Sequence, residues 1–220
     1  MHNLTLIIPA KHENESLPIF LSELEELECY KIIILQKDDL STQKTIKEDD
    51  KTKILFQKIN GYGAAIIEGI NNSNTEFSCI INADGSMNPG YLQLMIKNCE
   101  KRDLVFASRY LKPGGGSDDD TFLTFIGNKF FSSMGNILYR LNLSDILFTY
   151  ILGKTSSFKA LNLKSNDFRL CVELPIKAKK MNFNYISIPC HERKRIAGTK
   201  KVNEFKDGFL ILCAILSYLI

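Results

Sequence analysis

The sequence predicts an α/β protein organised as a single domain, a mainly parallel sheet with helices on both faces. Three observations predict it. Short β-branched apolar runs alternate with segments of helical periodicity. Polar clusters rich in Asp, Asn and Gly follow those runs, beyond the strand ends where ligands of such sheets bind. The 220 residues, 45% hydrophobic, supply one sizeable core, with no internal repeat and no Ser/Gly-rich linker to divide it.

The elements follow in order. Leu4–Ile8 is a buried strand ended by Pro9, which cannot donate to a ladder. Glu15–Leu27 reads as a helix, with Leu17, Phe20, Leu21, Leu24 and Leu27 at spacings of three and four, and Ser16 before Pro18 reads as its cap. Lys31–Gln36 is a second strand, running into Lys37-Asp38-Asp39-Leu40-Ser41-Thr42. Lys53–Gln57 is a third, followed by the loop Asn60-Gly61-Tyr62-Gly63 and a small-residue helix, Ala64–Asn71. Phe77–Ile81 is a fourth strand, entering Asn82-Ala83-Asp84-Gly85-Ser86; Pro89–Cys99 is a helix and Asp103–Ala107 a fifth strand.

Composition narrows the function classes. The six cysteines, at 29, 79, 99, 171, 190 and 213, form no CxxC pair, and the three histidines are scattered. Neither a zinc site nor a disulfide framework is expected; buried thiols in a reducing compartment are. The N-terminus enters a strand directly, without a secretory succession, which predicts a protein working on the cytoplasmic side. A GxxxxGK[ST] phosphate loop is absent, and Ile66 stands where a dinucleotide loop would carry its third glycine.

The net charge of +3 hides an asymmetry: residues 13–50 hold eleven acidic and four basic side chains, residues 154–206 thirteen basic and four acidic. A basic second half points toward phosphates, anionic lipid or nucleic acid. No recognised nucleic-acid module or aromatic–basic interleaving accompanies it, so no nucleic-acid partner is expected.

Read in order, the clusters resemble one family. Ile8-Pro9-Ala10-Lys11-His12-Glu13-Asn14-Glu15 resembles the IPxxNE opening of family 2 glycosyltransferases, and Asp38-Asp39-Leu40-Ser41-Thr42 their DDGST turn. Asn60-Gly61-Tyr62-Gly63-Ala64-Ala65 resembles their glycine-containing loop, and Asn82 to Pro89 their DxD-type segment. Ala107-Ser108-Arg109-Tyr110 with Pro113-Gly114-Gly115 is similar to their SRY segment. Leu143-Ser144-Asp145 and Arg195-Ile196-Ala197-Gly198-Thr199-Lys200-Lys201 resemble the SD and RxxGxSK segments of the dolichol-phosphate mannose synthase-like branch, which includes bacterial polyprenyl-phosphate sugar transferases. The resemblance covers about residues 4 to 205.

It implies a GT-A domain over residues 1–205 that inverts on transfer of a sugar from a UDP- or GDP-linked donor to a polyprenyl phosphate. Pro9, Ala10, Glu13, Asp38, Gly61, Gly63 and Asn82 would hold the nucleotide. Asp84, Arg109 and Asp145 would be the catalytic set, with Asp145 on the acceptor side or structural. Arg195, Lys200 and Lys201 would face phosphates, a task suited to a guanidinium fork and ammonium point charges. Mg²⁺ or Mn²⁺ on Asp84, Asn82 and Ser86 would neutralise the departing diphosphate. The family usually has Asp where this chain has Asn82, and an amide brings no negative charge. A phosphate acceptor is already anionic and needs no general base, whereas a sugar hydroxyl does. Two other readings stay open: transfer to a saccharide hydroxyl in surface-polysaccharide assembly, and a catalytically silent nucleotide-binding domain.

Residues 206–220 read as an apolar C-terminal helix, with a twelve-residue stretch from Phe209 to Ile220 that is apolar but for Ser217, preceded by Lys200, Lys201 and Lys206. A membrane span needs about 20 residues, so the segment either lies in the membrane interface or packs on the domain or on a second copy.

Overall fold

The computed structural model describes residues 1–219. β1 (Leu4–Pro9) leads to α1 (Ser16–Glu23), and β2 (Tyr30–Leu35) to the one-turn α2 (Leu40–Gln43). β3 (Thr52–Phe56), α3 (Tyr62–Asn72) and β4 (Phe77–Ile80) follow, then a 3-10 turn at Pro89–Tyr91, α4 (Leu92–Cys99) and β5 (Leu104–Ser108). The second half holds β6 (Gly116–Ser117), α5 (Phe122–Tyr139), β7 (Ile151–Lys154), α6 (Thr155–Ala160), α7 (Leu170–Lys180), β8 (Tyr185–Pro189), β9 (His191–Glu192) and α8 (Glu204–Ser217).

Seven strands make one sheet in the order β3-β2-β1-β4-β7-β5-β8. β7 runs antiparallel to both its neighbours, β4 and β5, and every other pairing in the sheet is parallel. In β1, Leu6 and Ile8 enter one core with Leu17, Phe20 and Met95, while Ile7 enters the other with Ile34, Ile66 and Ile70. Burial on both faces is why β1 and β2 read as unbroken apolar runs and not as an alternation.

Two details of the sequence reading change. α1 stops at Glu23, and Leu24 and Leu27 reach the core through tight turns closed by Leu24 N–H to Leu21 O (3.0 Å) and Leu27 N–H to Leu24 O (3.2 Å). Ser16 does not cap that helix: it lies inside the first turn, and its hydroxyl donates back to Glu13 Oε2 at 2.5 Å.

Candidate active site

A cleft of about 680 Å³ opens beyond the carboxyl ends of the parallel strands. Pro9, Ala10 and Glu13 line it after β1, Asn82 and Asp84 after β4, and Arg109 after β5. Its size suits a small-molecule site, and its position is where open parallel sheets bind ligands.

The floor after β1 is built by Asp39. Its side chain caps α2, accepting from Thr42 N–H (3.2 Å), and reaches across to His12 N–H (2.6 Å) and the Ser41 hydroxyl (2.9 Å). These bonds hold the His12–Glu13 loop against β2. Burial works to raise the Asp39 pKa, but the hydrogen bonds outweigh it and the carboxyl titrates below its ordinary range. Asp38 points elsewhere: it is exposed and lines a separate hollow with Lys37, Gln57, Lys58 and Asn60, outside the main cleft.

The glycine loop has a packing role. The backbone of Ser165–Asp167 crosses the start of α3, where Ala64 N–H donates to Asn166 O at 2.9 Å. A Cβ on Gly63 would lie 2.2 Å from Ser165 O, and one on Gly61 2.1 Å from Asn166 O. Gly61 also stands at φ +146°, a conformation that side chains rarely adopt. Gly61 reaches the cleft wall; Gly63 is buried under the crossing chain and does not. Between them Tyr62 stacks on Phe168, with ring centroids 4.9 Å apart.

Tyr62 also settles Asn82. Its hydroxyl donates to Asn82 Oδ1 at 2.8 Å and lies 2.5 Å from Thr149 Oγ1. Two residues on, Asp84 uses Oδ1 to accept from Ser86 N–H (3.0 Å) and Ser86 Oγ (2.8 Å), leaving Oδ2 toward the cleft. Ser86 itself is 2% exposed and absent from the cleft wall, so it orients Asp84 and does not reach a ligand.

Arg109 and Asp145 form a buried hub. Arg109 is 8% exposed and is held by Asp145 (Nε–Oδ2 2.7 Å), Glu192 (3.2 Å) and Asp120 (3.3 Å). Desolvation opposes its charge, but Asp145 and Glu192 more than compensate, and its pKa lies well above the ordinary value. Glu192 is pushed up by burial, against the pull of Arg109. With three carboxylates on it, Arg109 ties β5, the 118–120 loop and β9 together and brings no free positive charge to a phosphate. Asp145, 1% exposed, is wholly engaged there.

The segment after β9 straps the opposite wall. Arg193 N–H donates to Ser86 O (2.9 Å), its guanidinium to Gly85 O (2.7 Å), and Ile196 N–H to Asp84 O (2.8 Å). Arg195 therefore projects beside Asp84: Nη2 meets Asp119 Oδ2 at 2.6 Å, and Nη1 lies 3.6 Å from Asp84 Oδ2. Lys200 and Lys201 line the same cleft, with Lys201 Nζ 3.7 Å from Glu13 Oε1. Burial holds the Glu13 pKa above its ordinary value despite Ser16 and Lys201.

Beside α5 and α8 the cleft also carries apolar side chains. Leu123 and Phe131 of α5, Leu147, Phe148 and Phe168 line it, and Phe205 and Ile211 of α8 close one side. α8 starts at Asn203, whose side chain caps it by accepting from Lys206 N–H at 3.0 Å. Ile211, Ala214 and Ile215 bury one face on the domain, and Tyr139 OH donates to Ile215 O. The other face shows Phe205, Phe209 and Leu216 to solvent beside Phe122, Phe125, Ile126 and Phe130 of α5. The C-terminal segment thus packs on the domain and offers an apolar outer surface at once. Among the described residues no helix is long and apolar enough to cross a membrane.

The model of the family described as glycosyl transferase family 2 matches residues 5–161, most of the chain. The chain belongs to that family. Among curated relatives, an undecaprenyl-phosphate mannosyltransferase of Micrococcus luteus is 25% identical over 215 residues, covering 90% of this chain and 86% of its own. An uncharacterised glycosyltransferase of Mycobacterium tuberculosis is 27% identical over 107 residues, 48% of each chain, so this chain matches about half the length of that relative. Solved structures share the GT-A fold. Glucosyl-3-phosphoglycerate synthase of M. tuberculosis, with Mn²⁺, UDP-glucose and phosphoglyceric acid, has TM-score 0.72 at 11% identity, covering 99% of this chain and 80% of that one. Mannosyl-3-phosphoglycerate synthase of Rubrobacter xylanophilus has TM-score 0.72 at 10% identity, covering 99% and 74%.

The donor set of this family 2 chain suits a divalent ion of one kind. Among the described residues no cluster of three His, Cys, Asp or Glu side chains is placed to hold a metal. Asp84 Oδ2 is the available carboxylate oxygen of the DxD-type segment: Asn82 carries an amide whose Oδ1 already accepts from Tyr62, and Ser86 is buried. One carboxylate suffices for Mg²⁺ or Mn²⁺ where substrate phosphates and water supply the remaining ligands.

Sequence reasoning missed Asp119, Asp120 and Glu192, the partners of Arg195 and Arg109, and Tyr62. The run Ser117-Asp118-Asp119-Asp120 after three glycines was a visible signal for the first two. Glu192 and Tyr62 had none.

Proposed function

We propose that this protein is an inverting glycosyltransferase that moves a sugar from a UDP- or GDP-linked donor to a polyprenyl phosphate of the undecaprenyl type at the inner face of a membrane. The observation that carries the reading is the mixed lining of the cleft. Asp84, Arg195, Lys200 and Lys201 have the chemistry to hold a diphosphate, and the apolar side chains that α5 and α8 bring to the same cleft, Leu123, Phe131, Phe205 and Ile211, have that of an isoprenoid chain. The exposed faces of those helices, with Lys129 and Lys206 among their aromatics, suit the headgroup region of a bilayer. The Micrococcus luteus relative, named for a polyprenyl-phosphate acceptor, supports the same choice.

In this mechanism Pro9, Ala10 and Glu13 bind the nucleoside, and Lys200 and Lys201 screen the phosphates. Asp84 would hold a divalent ion, which would supply charge neutralisation for the leaving group. Arg195 shifts from Asp84 to phosphate oxygens as the donor enters. The acceptor phosphate attacks the anomeric carbon in one displacement, and the nucleoside diphosphate leaves. A phosphate acceptor requires no general base, and Glu13 is bonded to Ser16, Asp119 to Arg195 and Asp120 to Tyr110 and Arg109.

The test is radiolabelled UDP- and GDP-sugars incubated with the full chain and vesicles containing undecaprenyl phosphate. A labelled product that partitions into organic solvent supports the proposal; exclusively water-soluble transfer products overturn the acceptor assignment.

A further inference from the structure

Asn82 is the residue at which this chain departs from its family, and the structure gives that departure a chemical direction. An asparagine side chain offers one acceptor oxygen and two donor hydrogens. Here Oδ1 is occupied by the Tyr62 hydroxyl at 2.8 Å, while Nδ2 makes no hydrogen bond within the described chain and stands in the cleft wall. Tyr62 is itself held in place. Its ring stacks on Phe168, its hydroxyl lies 2.5 Å from Thr149 Oγ1, and the chain crossing at Ser165–Asp167 buries the start of its helix. In this arrangement the Tyr62 hydroxyl takes Oδ1, and Nδ2 is the end of Asn82 left toward the ligand.

Resting on the transferase reading above, we propose that Asn82 is a hydrogen-bond donor to a phosphate oxygen of the bound nucleoside diphosphate and not a metal ligand, with Tyr62 as the residue that positions it. The neighbourhood favours phosphate over ribose. Asp84, the carboxylate suited to a diphosphate-bound ion, lies two residues away, and Arg195 and Lys201 line the same cleft. A neutral amide N–H approaches a phosphate oxygen without the repulsion that an aspartate would bring. The divalent ion then rests on one protein carboxylate, so it binds measurably only together with the nucleotide. The chain would retain part of its nucleotide affinity in the absence of any metal.

The experiment measures binding, independently of turnover. Calorimetry with UDP and GDP is run on the full chain in EDTA, and Mn²⁺ binding alone is followed by electron paramagnetic resonance. For the nucleotide that binds the native chain, Asn82→Ala should weaken metal-free affinity about 10-fold, and Asn82→Asp by ~10–100-fold, the range for loss of a charge-assisted hydrogen bond plus repulsion. Tyr62→Phe keeps the stacked ring and should weaken metal-free binding in the native background but add no loss in the Asn82→Ala background. That non-additivity separates positioning from a structural role. Mn²⁺ alone should remain free with the native chain and bind more tightly to Asn82→Asp. Undiminished metal-free binding by Asn82→Asp overturns the proposal, as does nucleotide-free Mn²⁺ binding by the native chain that Asn82→Ala abolishes; either result leaves the transferase reading intact. Failure of the folded native chain to bind UDP or GDP, with or without Mn²⁺, removes the transferase reading and this inference together.

Discussion

Arg109 and Asp145 face each other through two parallel hydrogen bonds, Nε to Oδ2 at 2.7 Å and Nη2 to Oδ1 at 3.0 Å, in a position almost closed to water. Asp145 Oδ2 also accepts the Arg109 backbone N–H at 3.2 Å, so the pair locks the end of β5 to the chain that leads into β7. Removing Asp145 leaves the buried Arg109 Nε, Nη2 and backbone N–H without their acceptor, with Glu192 and Asp120 remaining at Nη1 only. Asp145→Ala is expected to cost about 3–5 kcal/mol of stability. Urea denaturation checks it, and a loss confined to activity with unchanged stability would instead place Asp145 in contact with substrate.

Asp84 carries a different burden. Asp84→Asn keeps the side chain's size and the acceptor for Ser86 while removing the charge. Stability in the absence of ligand should change by less than about 1 kcal/mol, as for a substitution outside the core. Stabilisation by Mn²⁺ with nucleotide should disappear, and turnover should fall roughly 100-fold or more, as when a main electrostatic stabiliser is lost. Thermal shift with and without Mn²⁺, paired with the extraction assay, reads both.

The pH dependence of stability should carry the mark of Asp39. Its hydrogen bonds hold its folded pKa below the ordinary 3.8, so near that pH the unfolded chain binds the proton more readily. The contribution is present above the unfolded value and is lost as pH falls through the folded one. Asp39→Asn should therefore destabilise by about 1–2 kcal/mol at neutral pH, as for a lost cap, with the gap from native narrowing below pH 3.8. Urea midpoints at several pH values test this; a gap that widens in acid contradicts it.

Gly63→Ala should destabilise by about 1–3 kcal/mol or more, because the new methyl meets backbone oxygen and not a flexible side-chain end. The comparison with Gly127→Ala is informative: nothing stands within 4 Å of a Cβ there, and alanine in the middle of α5 should stabilise by ~0.5–1 kcal/mol. Thermal unfolding of the two variants gives opposite signs if packing against Ser165–Asp167 governs the glycine loop.

Membrane binding should depend on the outer face of α8. Phe205 and Phe209 are exposed and pack little within the domain, so replacing both with Ser should leave the fold intact. Each phenylalanine buried in lipid contributes about 1.5–3 kcal/mol, which puts the loss of vesicle binding at ~100-fold or more for the pair. Co-sedimentation with anionic vesicles measures it; undiminished binding would move the contact surface away from these helices.

The parts of the molecule legible in its sequence are those where local chemistry and global position agree. Buried strands announce themselves through runs such as Ile32–Leu35, and the loops after β1, β3 and β4 through their polar clusters. Adjacent residues of the same type defeated the reading: Asp39 and not Asp38 turns inward, because only Asp39 sits at the N-cap of α2 with the His12 amide in reach. Arg109 follows a strand as a ligand-binding arginine would, yet two of its three carboxylate partners come from positions 145 and 192, separations that no local pattern exposes. The same holds for Gly63, whose neighbour is the backbone near residue 166.

The bonds from Arg193 to Gly85 join residues 108 positions apart. During synthesis the turn that carries Asp84 leaves the ribosome long before the segment after β9 that braces it exists, and contacts of such span close late and slowly. Nucleotide affinity should therefore emerge abruptly, only once residue 196 has cleared the exit tunnel. A chain stalled after β7 would already hold most of its sheet and yet be unable to grip its substrate.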